Sequence, residues 1–202
     1  MRNLLVSAAL ALLAAASPAA ARPAASPGTT YDALAKRARA GDRGVDVARL
    51  RQAAGEAGVT SPRSDRDRLT SAARTGDARL LARAADAVLA RNYVDLLAHH
   101  LAAKAAAALG DARGEDHHRW LLMELVNAVT ASGDGQTPAT PMVVISEDEV
   151  SFMLQVLHVE LEEQGRGTCN GHPCEALQVK HRDGKQATWY FDVHLAAARS
   201  GK

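Results

Sequence analysis

Two pairs of neighbouring histidines, His99-His100 and His117-His118, lie on either side of a Gly-Asp turn. Imidazole nitrogens bind divalent metals and carry protons near neutral pH. On antiparallel helices that rise about 1.5 Å per residue, His99 and His117 would lie within roughly one turn of each other. Asp95, four residues before His99, would share its helical face and can accept a hydrogen bond from its ring.

This spacing is open to two interpretations. In the first, Asp95, His99 and one of His117 or His118 bind a divalent metal, which would make the protein a metal-binding protein or a metal-dependent hydrolase. In the second, one histidine of each pair is hydrogen-bonded in the seam between two helices and the other is solvated. The sequence has no HExxH motif and offers no obvious fourth ligand, so we favour the second interpretation and predict no cofactor.

A second polar stretch, Ser-Gly-Asp-Gly-Gln-Thr at residues 132–137, lies between the helical region and the C-terminal part. It has neither the alternating oxygen ligands of a calcium loop nor the Gly-Lys-Ser/Thr of a phosphate loop. A helix stop at Gly133, followed by a turn that Asp134 stabilises through its own backbone, explains the pattern more simply. Ser132, Asp134 and Thr137 remain candidates for lining a groove, together with Tyr93.

Nucleophilic catalysis has little support, because the sequence contains no G-x-S-x-G motif. The two cysteines, Cys169 and Cys174, flank Asn-Gly-His-Pro. With His172 they would offer three local ligands, whereas structural zinc sites need four. In an exported protein the pair predicts a disulfide, and we assign no catalytic residue.

The histidines are positioned by helices. Gly-Asp pairs recur at residues 41–42, 76–77 and 110–111, spacings of 35 and 34 residues that match the period of tetratricopeptide-like helical hairpins. Gly can end one helix and Asp can cap the next, so each pair predicts a hairpin tip. Residues 30–131 therefore form a repeat-like region of three antiparallel hairpins. Its helices are predicted at 30–40, 46–56, 64–75, 77–91, 93–109 and 115–131.

Residues 137–196 predict an α+β C-terminal part, packed as one unit with the helices. Met142–Ile145 reads as a short strand, and Ser146 with Glu149 forms a capping box that starts a helix. Apolar residues then alternate with polar ones in three segments, up to about residues 161, 180 and 193. The predicted fold class is thus α+β, with helical hairpins followed by a small antiparallel sheet and one helix.

The N-terminus and the charge pattern bear on location and partners. Residues 1–21 read as a secretory signal peptide, with Arg2 before an apolar run and a small-residue cleavage site near Ala21. We therefore expect an exported protein, periplasmic or extracellular, that is soluble rather than membrane-spanning. The formal net charge is +1 and aromatic residues make up 3% of the chain, which disfavours nucleic acid as a partner.

Three stretches of the chain resemble motifs of a known family. They are Asn92-Tyr93-Val-Asp95 leading to Ala98-His99, Ser132-Gly-Asp-Gly-Gln-Thr137 leading to Val144-Ile145, and the late Trp-Tyr-Phe-Asp-Val segment at 189–193. The chain resembles bacterial proteins of the domain-of-unknown-function 4919 family. The resemblance implies exported proteins with tetratricopeptide-like helices, and it brings no known activity.

The function expected from the sequence is therefore a non-enzymatic scaffold that binds a protein or peptide. Helical repeats form extended binding surfaces, although fold alone does not establish function. The candidate binding residues are Tyr93, Asp95, His99, Ser132, Asp134 and Thr137. The alternative is the metal site at Asp95, His99, His117 and His118.

Overall fold

The structure, a computed structural model, describes residues 26–197. The predicted signal peptide lies outside these residues. Six helices come first, each within about three residues of its predicted bounds at both ends. They are α1 Pro27–Arg39, α2 Val47–Ala57, α3 Arg63–Thr75, α4 Ala78–Arg91, α5 Leu96–Leu109 and α6 Ala112–Thr130.

Two of the three Gly-Asp pairs behave as expected. Gly76 and Gly110 end α3 and α5 in the left-handed conformation, with φ of 75° at both. Asp77 and Asp111 then cap α4 and α6 by accepting hydrogen bonds from amides of the first turn. At the first pair the cap of α2 is Asp46, four residues later, because Asp42 instead bonds the Gly44 amide and Arg37.

The helices pack in a closed arrangement. α1 packs on α2, α3 on α4, α4 on α5 and α5 on α6, and α2 also packs against α6. Their shared core is largely alanine and leucine, with Leu50, Leu69, Leu121 and Leu125 fully buried. In an extended solenoid each unit contacts only its neighbours, so the contact between α2 and α6 gives this region a more compact form.

The C-terminal part contains a four-stranded sheet in the order β1-β4-β3-β2. Its elements are β1 Met142–Val143, α7 Glu147–Val156, β2 Val159–Cys169, β3 His172–His181, β4 Gln186–Asp192 and α8 His194–Ala197. The α+β class is confirmed, but the prediction of a purely antiparallel sheet is wrong, because β1 pairs parallel to β4. The chain leaves β1 through α7 rather than a hairpin, and such a connection allows a parallel pair.

The hairpin of β2 and β3 turns at Asn170-Gly171, where both residues have positive φ, as a two-residue type I′ turn requires. Cys169 and Cys174 are at disulfide distance across this turn, with their Cα atoms 5.4 Å apart. The predicted pairing of the two cysteines is therefore supported by their positions.

Buried contacts join the helices to the C-terminal part. Arg51 of α2 donates to both carboxylate oxygens of Glu149 in α7 and to the Val143 carbonyl, and both charged side chains are almost fully buried. Ile145 and Phe152 belong to the core of the helical region. None of the helices between residues 26 and 197 combines the length and apolar character needed to cross a membrane.

Candidate functional site

His99 of α5 meets the histidine pair of α6 across the helix–helix seam, as its spacing predicts, whereas His100 lies against Phe152 of α7. His99 is fully buried, whereas His117 and His118 are partly exposed at the start of α6. The His99 and His118 rings face each other, with their Nδ1 atoms 3.0 Å apart. Tyr93, which precedes α5, brings its hydroxyl to 2.8 Å from His117 Nε2.

The hydrogen bonds determine how His99 is protonated. Its Nε2 lies 2.9 Å from the Tyr93 carbonyl, which can only accept, so Nε2 carries the proton. Burial lowers the pKa of His99 to about 3, so the ring is neutral near pH 7. The Nδ1 of a neutral ring protonated on Nε2 is an acceptor, and His118 therefore donates to it. Both nitrogens of His99 are thus engaged within the protein.

Tyr93 contacts the histidine cluster formed by His99, His117 and His118. Burial raises the pKa of its hydroxyl to about 12, so it stays a neutral phenol. The guanidinium of Arg39 lies 4.4 Å from the centre of its ring, a cation–π contact. The Tyr93 amide donates to the Tyr31 hydroxyl in α1. These contacts tie the cluster to the first helix.

Asp95 is turned away from the histidines. It caps α5 by accepting a hydrogen bond from the Ala98 amide, and its other oxygen pairs with Arg66 of α3. Burial raises the pKa of Asp95, although Arg66 and the Ala98 amide act in the opposite direction. The expectation that His99 donates a hydrogen bond to Asp95 is wrong, because the His99 ring donates to the Tyr93 carbonyl instead. The structure thus places the rings of His99, His117 and His118 next to one another, but their ligand atoms and the Asp95 carboxylate do not converge on one point.

The Ser132–Thr137 stretch joins α6 to the sheet. The Ser132 hydroxyl donates to the Val129 carbonyl and accepts from the Val143 amide. Asp134 accepts from the Gln136 amide and, at 2.6 Å, from the Thr140 hydroxyl, which also contacts Thr137. These candidate binding residues are therefore engaged in the loop that positions β1.

The loop requires a glycine at position 133, because its backbone passes very close to this residue. A Cβ atom there would lie 2.6 Å from the Thr140 carbonyl oxygen and would also overlap the Pro141 carbonyl. The loop backbone folds back on itself too closely for any side chain. The arrangement agrees with the expected helix stop and turn.

The first two motifs that carried the family resemblance are thus a helix cap with a buried cluster and a tight loop, and the third forms the end of β4. A family model described as "Domain of unknown function (DUF4919)" matches residues 65–199. The chain belongs to the DUF4919 family. No curated protein and no solved structure matches it. In this DUF4919 protein α1, α2 and the start of α3 precede the matched region.

A second cluster of metal-ligand types lies at one end of the sheet, and the sequence interpretation missed it. His172 begins β3, Asp192 ends β4 and His194 begins α8. Asp192 Oδ2 is 3.0 Å from His172 Nδ1, and its Oδ1 is 2.7 Å from His194 Nδ1. Burial acts to raise the pKa of Asp192, but the hydrogen bonds from the His194 amide and from both rings outweigh it and lower the pKa.

A sequence signal for this cluster did exist. Asn170-Gly171 specifies a two-residue turn, so β3 begins at His172. His172 therefore lies two residues before Cys174 on the same strand. Cys174 is the partner of Asp192 in β4, and side chains two residues apart share a face of the sheet. From the sequence, His172 is a candidate ligand only beside Cys169 and Cys174.

The DUF4919 chain also has an apolar groove along α3 and α4, of about 510 Å³. Small side chains form most of its floor, and charged side chains surround it. The lining residues are Asp65, Asp67, Arg68, Ser71, Ala72, Thr75, Leu80, Arg83, Ala84 and Ala87. Leu80, at the edge of the groove, is 38% exposed, one of several large apolar side chains of this protein that remain exposed.

Proposed function

We propose that this DUF4919 protein is an exported, non-enzymatic scaffold that binds an acidic amphipathic helix of a partner protein. The α3–α4 groove is the observation that carries the proposal. Its lining residues run from 65 to 75 in α3 and from 80 to 87 in α4, so the groove is about 15 Å long at 1.5 Å per residue. That length accommodates roughly three turns of a bound helix.

The floor of the groove suits a helix rather than an extended strand. Ser71, Ala72, Ala84 and Ala87 are small, so a third helix can approach closely between α3 and α4. Leu80 supplies an exposed apolar contact at one end. Amphipathic helices bind such grooves through apolar residues three or four positions apart.

The charge of the two helices favours an acidic partner. Residues 63–91 contain seven arginines and four aspartates and no lysine or glutamate, a net charge of +3 for the segment as a whole, although the four charged residues that line the groove, Asp65, Asp67, Arg68 and Arg83, balance one another. Asp65 is already paired with Arg68 and Arg91. A partner helix with glutamates flanking its apolar face would complement this surface and associate faster at low salt.

The test uses a labelled synthetic helix of about 14 residues, with leucines at three- and four-residue spacing and glutamates elsewhere. We expect saturable binding by fluorescence anisotropy. Ala87→Arg, which fills the groove, should weaken it by about tenfold or more, equivalent to about 1.4 kcal/mol. Ala108→Arg is the matched control, because Ala108 is an exposed helical alanine of α5 outside the groove.

The same peptide with lysines in place of glutamates tests the charge argument. Equal affinity for the acidic and basic peptides would contradict the proposed partner chemistry. If Ala87→Arg and Ala108→Arg changed the affinity for the peptide equally, the groove would not be the binding site.

The divalent-metal alternative at Asp95, His99, His117 and His118 has weaker support. Arg66 pairs with the Asp95 carboxylate, and both nitrogens of His99 already have hydrogen-bond partners. A metal there would have to displace the Arg66–Asp95 pair and one of the two His99 hydrogen bonds in a largely buried seam.

A further inference from the structure

We propose that His172, Asp192 and His194 form a binding site for a divalent transition-metal ion, zinc above all, with its remaining coordination positions open to water. The proposal is independent of the α3–α4 groove. It rests on the only group of three or more His, Cys, Asp or Glu side chains within residues 26–197 whose ligand atoms all lie within 4.8 Å of one another.

The distances between the ligand atoms match those around a bound metal. With metal–ligand distances of about 2.1 Å, neighbouring ligand atoms are roughly 3.0 Å apart in octahedral geometry and 3.4 Å in tetrahedral geometry. The Asp192 oxygens lie 3.0 Å from His172 Nδ1 and 2.7 Å from His194 Nδ1. The two contacts use different oxygens of Asp192, and the three ligand atoms lie within 4.8 Å of one another, so a small movement of the two exposed rings would admit the ion.

The chemistry of the donor set selects the metal. Two imidazoles and one carboxylate are a common set of ligands for zinc and for non-haem iron. Calcium and magnesium prefer sites made of oxygen alone. On binding, each ring would give up its Nδ1 hydrogen bond to Asp192 and use the Nδ1 lone pair, with the ring proton on Nε2.

The backbone holds the three ligands in place without the ion. Asp192 is 3% exposed, and its Oδ1 also accepts the His194 amide hydrogen bond at 2.9 Å. The Val193 amide donates to the Pro173 carbonyl, which ties the segment between two of the ligands to β3. The Cys169–Cys174 pair constrains the turn before His172. Little ordering of the chain is therefore needed when a metal binds.

Exposure of the two histidines leaves the site accessible. The side chain of His172 is 51% exposed and that of His194 is 34% exposed. Three protein ligands with solvent access leave at least one position for water, which distinguishes this arrangement from a closed structural zinc site with four protein ligands.

The test is a zinc titration of the full chain, purified without a histidine tag and stripped with a chelator, against a chromophoric competitor. We expect one zinc per chain. His172→Ala and His194→Ala should each weaken binding more than about 100-fold, since losing even an outer partner of a metal ligand costs about 10- to 100-fold. Zinc should also raise the Tm of the wild type and leave that of both variants unchanged.

His158→Asn is the matched control, because His158 is an exposed histidine with φ of 54°, a conformation that asparagine tolerates. It should bind zinc like the wild type. Circular dichroism of the metal-free proteins checks that the half-exposed His172 can be replaced without loss of the fold.

Two results would overturn the proposal. One is the absence of stoichiometric zinc binding by the wild type. The other is binding that survives both His172→Ala and His194→Ala. Loss of binding in His118→Ala instead would locate the metal in the α5–α6 seam.

Discussion

Acidification should destabilise this protein through His99. The ring is fully buried and neutral, and burial lowers its pKa from 6.5 to about 3. In the unfolded chain the same ring titrates with its ordinary pKa. Between pH 6.5 and about 3 the unfolded state therefore binds one more proton at this position than the native state.

An excess of bound protons in the unfolded state makes the free energy of unfolding fall as the pH falls. The slope for one proton is about 1.4 kcal/mol per pH unit. From pH 6.5 to pH 4 the contribution of His99 is therefore about 3 kcal/mol, a large part of the ~5–15 kcal/mol that stabilises an ordinary domain. Burial also lowers the pKa of His100, His117 and His118, which adds to the effect with the same sign.

The assay is urea denaturation at pH 7, 6, 5 and 4 of the wild type and His99→Gln. Glutamine does not titrate, and its amide can still donate to the Tyr93 carbonyl and accept from His118. We expect the wild type to lose about 1.4 kcal/mol per pH unit more than the variant below pH 6.5. His158→Asn controls for the loss of a histidine at the surface.

Parallel stability curves for the wild type and His99→Gln between pH 7 and pH 4 would refute this reasoning. They would mean that the native state takes up a proton at His99 as readily as the unfolded chain. The buried seam would then have to open or admit water at mildly acidic pH.

Three other changes test the packing. Arg51→Met leaves Glu149 buried without its cation and should lower the free energy of unfolding by about 3–5 kcal/mol. Adding Glu149→Leu should recover much of this loss, and urea denaturation of the single and double variants measures the coupling. Additive losses would argue against the pair. Gly133→Ala forces a Cβ to 2.6 Å from the Thr140 carbonyl oxygen and should cost about 1–3 kcal/mol. Gly28→Ala has open space around its Cβ, and similar melting temperatures for the two variants would contradict the close approach. Replacing both cysteines by serine should cost about 2 kcal/mol for so short a loop, measured by calorimetry without reductant; no loss would mean that the hairpin needs no cross-link.

The helices could be predicted from the sequence because their signals are local. Asp77 and Asp111 follow glycines that end the preceding helices, and a cap depends on residues within one turn. The orientation of β1 could not be predicted in this way. A strand of two residues has no alternation to read, and its partner β4 lies about 50 residues later in the chain.

The predicted site shows the same limit at the level of single residues. Helical spacing correctly predicts that His99 lies beside the histidines of α6, since the rings of His99 and His118 both face the seam between α5 and α6. Asp95 had two possible local roles, as a partner of His99 or as the cap of α5. Arg66, 29 residues away in sequence, pairs with the carboxylate in the cap position. Long-range pairings of this kind have no signature in a short window.

Glu149 connects the region that defines the family to the helices that precede it. The family match begins at residue 65, yet the cation that neutralises Glu149 is Arg51. Gly55, in the same helix, lies so close to Ile145 that a Cβ would come within 2.7 Å of the Ile145 side chain. A chain that began at residue 65 would leave a buried carboxylate unpaired and an apolar side chain uncovered, each of which is costly. The start of the family match is therefore a boundary of sequence similarity, and the folded core extends across it.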